Sequence, residues 1–248
     1  MASPDMTGPA QHRVAKAAIS FTGGKDSVLA LHLVHAHPEQ HDSAAALSVV
    51  GLVTFSPAES TKPFLSHPIP FIQLQADSLA LPHSVSLISD PFLESYSEQI
   101  RALNTRLSIE HLVTGDIEDV CNGFMTRAVE PTPVKLVTPL WQRPRSALIQ
   151  QFRDFDMRIL VTCANLRLMR EPLARRLVGA VLTDDLWDEL LREEGVDACG
   201  EGGEYHTMVL DATLFRKRLE IADGEQCVSD CGNYLYFQPG TITAVEKT

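Results

Sequence analysis

The period of the hydrophobic pattern changes repeatedly along the chain. Val14 to Phe21 is an apolar run of strand length, and after a polar turn Val28, Leu29, Leu31, Leu33 and Val34 follow with no polar face. This reads as a buried strand entering a buried helix. A second apolar and β-branched run, Ala46 to Phe55, precedes a loop containing Pro and Ser, a helix around Pro70 to Ala80 and a short strand, SVSLIS. Between Pro91 and Leu107 the apolar positions Leu93, Tyr96, Ile100, Leu103 and Leu107 recur at spacings of three and four, which predicts an amphipathic helix. HLVTGDI then reads as a strand ending in a glycine. Strands alternating with helices predict an α/β fold, a parallel sheet with helices on both faces.

Beyond Trp141 the alternation is less regular. The pattern predicts a helix near Ser146 to Phe155, a strand over Arg158 to Cys163, and a helix opened by Thr183 as N-cap and carrying Leu186, Leu190 and Leu191. HTMVLD, KRLEIA and YLYFQPGTITAVE read as strands of a smaller α+β unit. A boundary near residue 142 divides the chain into domains 1–142 and 143–248.

Composition narrows the function classes. The chain has 248 residues, of which 44% are hydrophobic and 21% charged, as in an ordinary globular protein. No run reaches the roughly 18 apolar residues that cross a bilayer, and MASPDMTGPAQH at the start lacks the pattern of a secretory signal. A cytoplasmic protein is expected. Five scattered cysteines suit a reducing compartment; Cys227 and Cys231 form a C-x3-C pair without the two further ligands that structural zinc requires. A formal charge of -11 disfavours a broad nucleic-acid surface.

The chemistry concentrates in two places. In TGGKDS, Thr22 to Ser27, a turn joins a strand end to a helix start, where unpaired N–H groups and the helix dipole favour an anion. Gly23 and Gly24 allow close backbone approach, and Lys25 adds a full charge. Adjacent glycines and Asp26 after the lysine exclude the P-loop pattern, and the dinucleotide fingerprint is absent as well. Far along the chain, CGEGGEYHT places Glu201 and Glu204 around a Gly-Gly step, followed at once by His206 and Thr207. Ionisable groups at that density are either solvated or used.

TGGKDS resembles the SGGKDS loop of the N-type ATP pyrophosphatases, with Thr22 keeping the hydroxyl of the usual serine. GEGGEYHT is similar to the second motif of the diphthine–ammonia ligase family within that group, and GLVTF, VTGDI and TPLW fall in the order that family shows. The resemblance spans roughly Ala17 to Phe215. It implies a Rossmann-like ATP pyrophosphatase domain, of the adenine nucleotide alpha hydrolase type, with a smaller carboxy-terminal domain that binds substrate. It further implies ATP and Mg2+, with a nucleotide site made by Ser20, Thr22, Gly23, Gly24, Lys25, Asp26 and Ser27 and, for adenine, by Val53, Thr54 and Phe55. Asp26 would contact the metal. Gly115, Asp116, Glu201, Gly203, Glu204, His206 and Thr207 would meet the substrate, with Lys25, Asp26, Glu201, Glu204 and His206 carrying the chemistry.

The implied reaction is amidation of diphthine on elongation factor 2 through an acyl-adenylate, with ammonium as nitrogen donor. Between VTGDI and TPLW, however, this chain has EDVCNGFMTRAVEPTPVK where diphthine-specific members are rich in Tyr, Gln and Arg. The same adenylating chemistry on another carboxylate, and a non-catalytic ATP-binding regulator, therefore remain open. Sulfur-transferring tRNA enzymes share the loop but use paired cysteines and a basic surface, and a glutaminase part is not evident, so free ammonia is the expected donor.

Overall fold

The computed structural model describes residues 13–58, 66–119 and 121–247. The amino-terminal stretch, where no signal is expected, and most of the loop after the second strand lie outside the described residues.

The strands are β1 (Arg13–Ser20), β2 (Ala45–Pro57), β3 (His83–Ile88), β4 (His111–Val113), β5 (Lys135–Val137), β6 (Arg158–Asn165), β7 (Tyr205–Asp211), β8 (Lys217–Ile221), β9 (Gly224–Val228), β10 (Tyr234–Pro239) and β11 (Ile242–Glu246). The α-helices are α1 (Lys25–Ala36), α2 (Ile69–Leu79), α3 (Phe92–Leu107), α4 (Phe124–Val129), α5 (Arg145–Asp154), α6 (Glu171–Leu177) and α7 (Asp184–Arg192).

The first five strands form a parallel sheet in the order β3-β2-β1-β4-β5. Alternation along β1 sends Ala17 and Ile19 to one face, where they meet the buried residues of α1, α2 and α5, and Ala18 to the other, with Ile100 and Leu103 of α3. Both faces are thus covered, as a parallel sheet requires. β6, β7, β9 and β10 make an antiparallel sheet in the order β7-β6-β10-β9, and β8 pairs with β11. The larger core runs without a break from Ala15 and Val28 through Phe152 and Trp187 to Met208 and Leu235. The second sheet is therefore packed directly against the α1 side of the first.

Three expectations change in detail. Thr183 occupies the N-cap position of α7 but makes no side-chain capping bond. Leu191 faces outward at 48% exposure, and Trp187 and Leu190 hold the buried side of that helix. YLYFQPGTITAVE breaks at Pro239–Gly240 into β10 and β11, which join different sheets, because proline cannot extend the ladder. Four further elements, α4, β5, α6 and β9, carry no clear periodicity in so few residues. Among the described residues no helix is long and apolar enough to cross a membrane.

Candidate functional site

The carboxy ends of β1, β2 and β4 open onto a cleft of about 270 Å³ lined by Ser20, Thr22, Asp26, Ser27, Phe55, Tyr96, Thr114, Gly115, Asp116, Met125 and Glu201, among others. Ligand sites of open α/β sheets lie at such strand ends. The turn that begins the cleft is held from below. Gly23 has φ +72°, and a Cβ there would lie 1.9 Å from Gln75 Oε1, so only glycine fits. Its carbonyl accepts from the Val209 N–H at 2.9 Å and from Gln75 Nε2 at 2.9 Å, while Gln75 Nε2 also donates to the Val209 carbonyl at 2.7 Å. Thr207 Oγ1 accepts from the Lys25 N–H at 3.1 Å. Strand β7, from the far part of the chain, thereby braces the glycine turn that starts α1.

Lys25 is buried, with its Nζ 2.7 Å from Asp26 Oδ2 and 5.4 Å from the centre of the Tyr205 ring. Burial opposes its charge most strongly of any single cause, but Asp26 together with Cys199 and Glu201 outweighs it and raises the pKa, so the ammonium persists. Burial raises the Asp26 carboxyl despite Lys25, and Asp26 Oδ1 is buried without a hydrogen-bond partner among the described residues. Ser27 Oγ donates to the Gly24 carbonyl at 3.0 Å and lies 3.5 Å from Thr22 Oγ1.

Gly115 touches this turn so closely that a Cβ would lie 2.6 Å from the Asp26 carbonyl carbon. Asp116, next to it, accepts from Thr114 Oγ1 at 2.7 Å. From the other side of the cleft Glu201 Oε1 accepts the Ile117 N–H at 3.3 Å. Asp116 and Glu201 are both raised in pKa, by burial and by the nearby charge of Asp26. Three carboxyl groups, Asp26, Asp116 and Glu201, thus line one cleft at a cost to their ionised forms. Among the described residues no cluster of three or more His, Cys, Asp or Glu side chains makes a ready metal cage.

The remaining second-motif residues stand behind this wall. Glu204 is buried, does not line the cleft, and its Oε1 accepts the Asp197 N–H at 3.0 Å. Gly202 and Gly203 let the loop fold over that carboxylate: a Cβ at Gly202 would lie 2.8 Å from Glu204 Oε1, and Gly203 has φ +84°. His206 packs edge-on to His67 with ring centres 5.3 Å apart, and a Cβ on Gly24 would lie 3.5 Å from His67 Cε1. Both imidazoles are lowered in pKa, chiefly by burial, His67 to about 3, and are neutral. In the carboxy-terminal half of β2, the Val53 carbonyl accepts the Phe21 N–H at 2.7 Å and the Thr54 hydroxyl donates to the Phe21 carbonyl. Both are buried in the sheet, so of the three residues expected at adenine only Phe55 reaches the cleft, stacked on Tyr96 at 4.6 Å.

Tyr96 lines the cleft and Gln75 and Tyr205 stand behind its turn, although the sequence marks Tyr96 only as part of an apolar helix face and gives Gln75 and Tyr205 no role. For Gln75 a signal existed, a lone amide on the buried side of an apolar helix.

With the geometry in hand, comparison with known proteins is decisive at the level of family. A model described as the diphthamide synthase N-terminal domain matches residues 15–124, and one described as the C-terminal domain matches residues 145–238. The chain belongs to the diphthamide synthase family. It is 29% identical over 136 residues to the diphthine–ammonia ligase of Schizosaccharomyces pombe, covering 50% of this chain and 22% of that protein. To the diphthine–ammonia ligase of Mus musculus it is 28% identical over 136 residues, 54% of this chain and 50% of the relative. The matched stretches thus span at most half the length of these two relatives. The U34-tRNA thiolase NcsA of Methanococcus maripaludis resembles 59% of this chain over 58% of its own, at 14% identity and a TM-score of 0.38. The matched ranges of this chain contain both the glycine turn and CGEGGEYHT, the two segments that β7 and Gln75 tie together.

Proposed function

We propose that the cleft binds ATP and that this family member is an ATP-dependent, AMP-forming ligase that makes a carbon–nitrogen bond, with diphthine on elongation factor 2 as the carboxylate and ammonium as the nitrogen donor. The observation that carries the reading is the convergence of the TGGKDS turn and Glu201 on the two sides of one cleft at the sheet's carboxy edge. In this reading residues 1–142 supply the nucleotide site and 143–248 the wall facing it.

The turn at Thr22–Ser27 offers hydroxyls, helix N–H groups and the Lys25 charge to the β and γ phosphates. In the first step a substrate carboxylate oxygen bonds to the α phosphorus, the bond from that phosphorus to the bridging oxygen breaks, and pyrophosphate leaves with the electron pair. In the second, the ammonium first loses a proton, and the nitrogen lone pair so freed bonds to the acyl carbon. The bond from that carbon to the phosphate oxygen breaks, AMP departs with the electron pair, and the nitrogen loses a second proton to become the amide. Phe55 and Tyr96 form the apolar side against which the base packs.

The residues fit Mg2+ carried in on the nucleotide. That ion keeps several waters and takes one or two carboxylates beside phosphate oxygens, and Asp26 has a buried, unpartnered oxygen to offer. When bound, the ion neutralises charge developing on the leaving pyrophosphate. Asp116 and Glu201 bring negative charge to a cleft that then suits an ammonium or another cation. His206, neutral and set behind the turn, orients its surroundings by packing.

Incubation with ATP, Mg2+, ammonium and diphthine-bearing elongation factor 2 should yield AMP together with the carboxylate-to-amide mass change in the factor, measured by mass spectrometry. Lys25→Ala should remove AMP formation. AMP without that mass change would move the assignment to a different carboxylate, and ADP would contradict adenylation itself.

A further inference from the structure

The long loop between α7 and β7 carries Glu201 to the cleft, and a single arginine at the start of α5 holds that loop to the loop that follows β4. Arg145 Nε donates to both oxygens of Asp197, at 3.0 and 2.7 Å, and its Nη2 lies 2.6 Å from Asp197 Oδ2 and 2.5 Å from Glu118 Oε1. Its side chain is 23% exposed and that of Asp197 21%, so the pair is shielded from solvent far more than Glu118, at 51%. Asp197 in turn organises its own loop. Its Oδ1 accepts the Cys199 N–H at 2.7 Å, and its backbone N–H holds Glu204. The loop meets the β4 side again where Glu201 accepts the Ile117 N–H.

We infer that Arg145 is a positioning residue for the cleft, the clamp that joins Glu118 to Asp197 and thereby sets Glu201 opposite the glycine turn. The inference rests on the reading of the cleft as the nucleotide site for its functional consequence, but not for the geometry it asserts. A planar fork suits this task because it fixes both carboxylates at once, whereas an ammonium would hold them only as a point charge. Arg145 does not itself line the cleft. Its effect passes through Asp197, within four residues of Glu201, and through Glu118, which follows Ile117.

The test measures the clamp and its consequence separately, on the full chain. Amide hydrogen exchange followed by NMR should show the Ile117 N–H, held by the Glu201 carboxylate, and the Glu201 N–H, held by the Asp197 carboxylate, losing protection by about tenfold or more in Arg145→Ala, with the amides of β1 and β6 unchanged. Arg145→Lys should recover part of that protection. Calorimetric titration with Mg2+ and ATP should show about tenfold weaker binding in Arg145→Ala, and Glu201→Gln with Arg145→Ala should be no weaker than Glu201→Gln alone. Unchanged exchange at Ile117 and Glu201, a uniform loss across β1 and β6, or additive losses of affinity would each overturn the clamp. If the unaltered protein binds no ATP, the nucleotide reading falls, and the exchange measurement still judges the clamp.

Discussion

Gly115 carries no side chain because none fits: a methyl group there would meet the Asp26 carbonyl carbon at 2.6 Å and the Ser27 nitrogen at 2.8 Å. Both contacts are backbone, which cannot swing aside as the end of a side chain can. Gly115→Ala should therefore push the β4 end away from the glycine turn, lowering stability by about 1–3 kcal/mol, as overpacking does. It should also weaken ATP binding, and urea unfolding with parallel calorimetry reads both. A variant with unchanged stability and unchanged affinity would show that the two segments do not touch as described. Lys25 illustrates a different residue-level constraint. Its charge is buried against Asp26 and the Tyr205 face, and the same charge lowers the imidazole of His206, so one substitution there alters several ionisable groups together.

Among the elements, the loop over residues 193–204 is the one whose role changes most when its contacts are known. Glu201 and Glu204 look equivalent in CGEGGEYHT, yet Glu201 lines the cleft and Glu204 turns inward to hold the Asp197 N–H. Glu204→Ala should cost about 1–3 kcal/mol by leaving the part-buried Asp197 N–H unmet, whereas Glu201→Ala should cost less, because its bond to the Ile117 N–H is longer, 3.3 against 3.0 Å, and lies at the cleft. Chemical denaturation of the two variants distinguishes the roles, and equal losses would contradict the division. The density of charge marked the segment as special, but which carboxylate faces the cleft depends on a contact with Asp197 that spacing does not encode.

The helix and strand pattern was legible where elements are long. The run from Val14 to Phe21, the stripe from Leu93 to Leu107 and the Arg158–Cys163 run all became the expected elements because each buries enough apolar surface to show a period. The three-residue β5 and the seven-residue α6 give too few positions for that. Of the stretch expected at adenine, Phe55 lines the cleft, whereas Val53 and Thr54 do not. Both residues spend their polar atoms on Phe21, and the aromatic pair Phe55 and Tyr96 comes together only when β2 and α3 are packed. Likewise the link from Gln75 to Gly23 and Val209 joins three distant segments, and sequence offered only the lone buried amide as a hint.

For the whole molecule, buried histidines make stability depend on pH in a defined direction. His32 Nδ1 donates to the Val28 carbonyl and Nε2 accepts the Leu214 N–H, an arrangement that requires the neutral ring. Burial lowers its pKa to about 4. In the unfolded chain the ring titrates near 6.5, so between those values the unfolded state binds the extra proton. The contribution is complete above about pH 6.5 and is lost as pH falls toward 4, at up to about 1.4 kcal/mol per pH unit. Urea unfolding between pH 7 and 4 should show this decline, and His32→Gln should flatten it; an identical slope in both proteins would contradict the assignment.

The two sheets share one core, and the site exists because β7 from the second braces the turn that leaves β1 in the first. In the proposed binding mode this turn receives the β and γ phosphates of ATP, and the α phosphate lies toward Gly115 and Glu201 on the cleft wall. A crystal structure with an ATP analogue carrying a methylene bridge between the α and β phosphorus atoms tests it most directly. The terminal phosphates should lie against Thr22–Ser27, the base beside Phe55 and Tyr96, and the α phosphate facing Glu201. Phosphates bound away from the glycine turn, or a base lodged between Gly115 and Glu201, would contradict it.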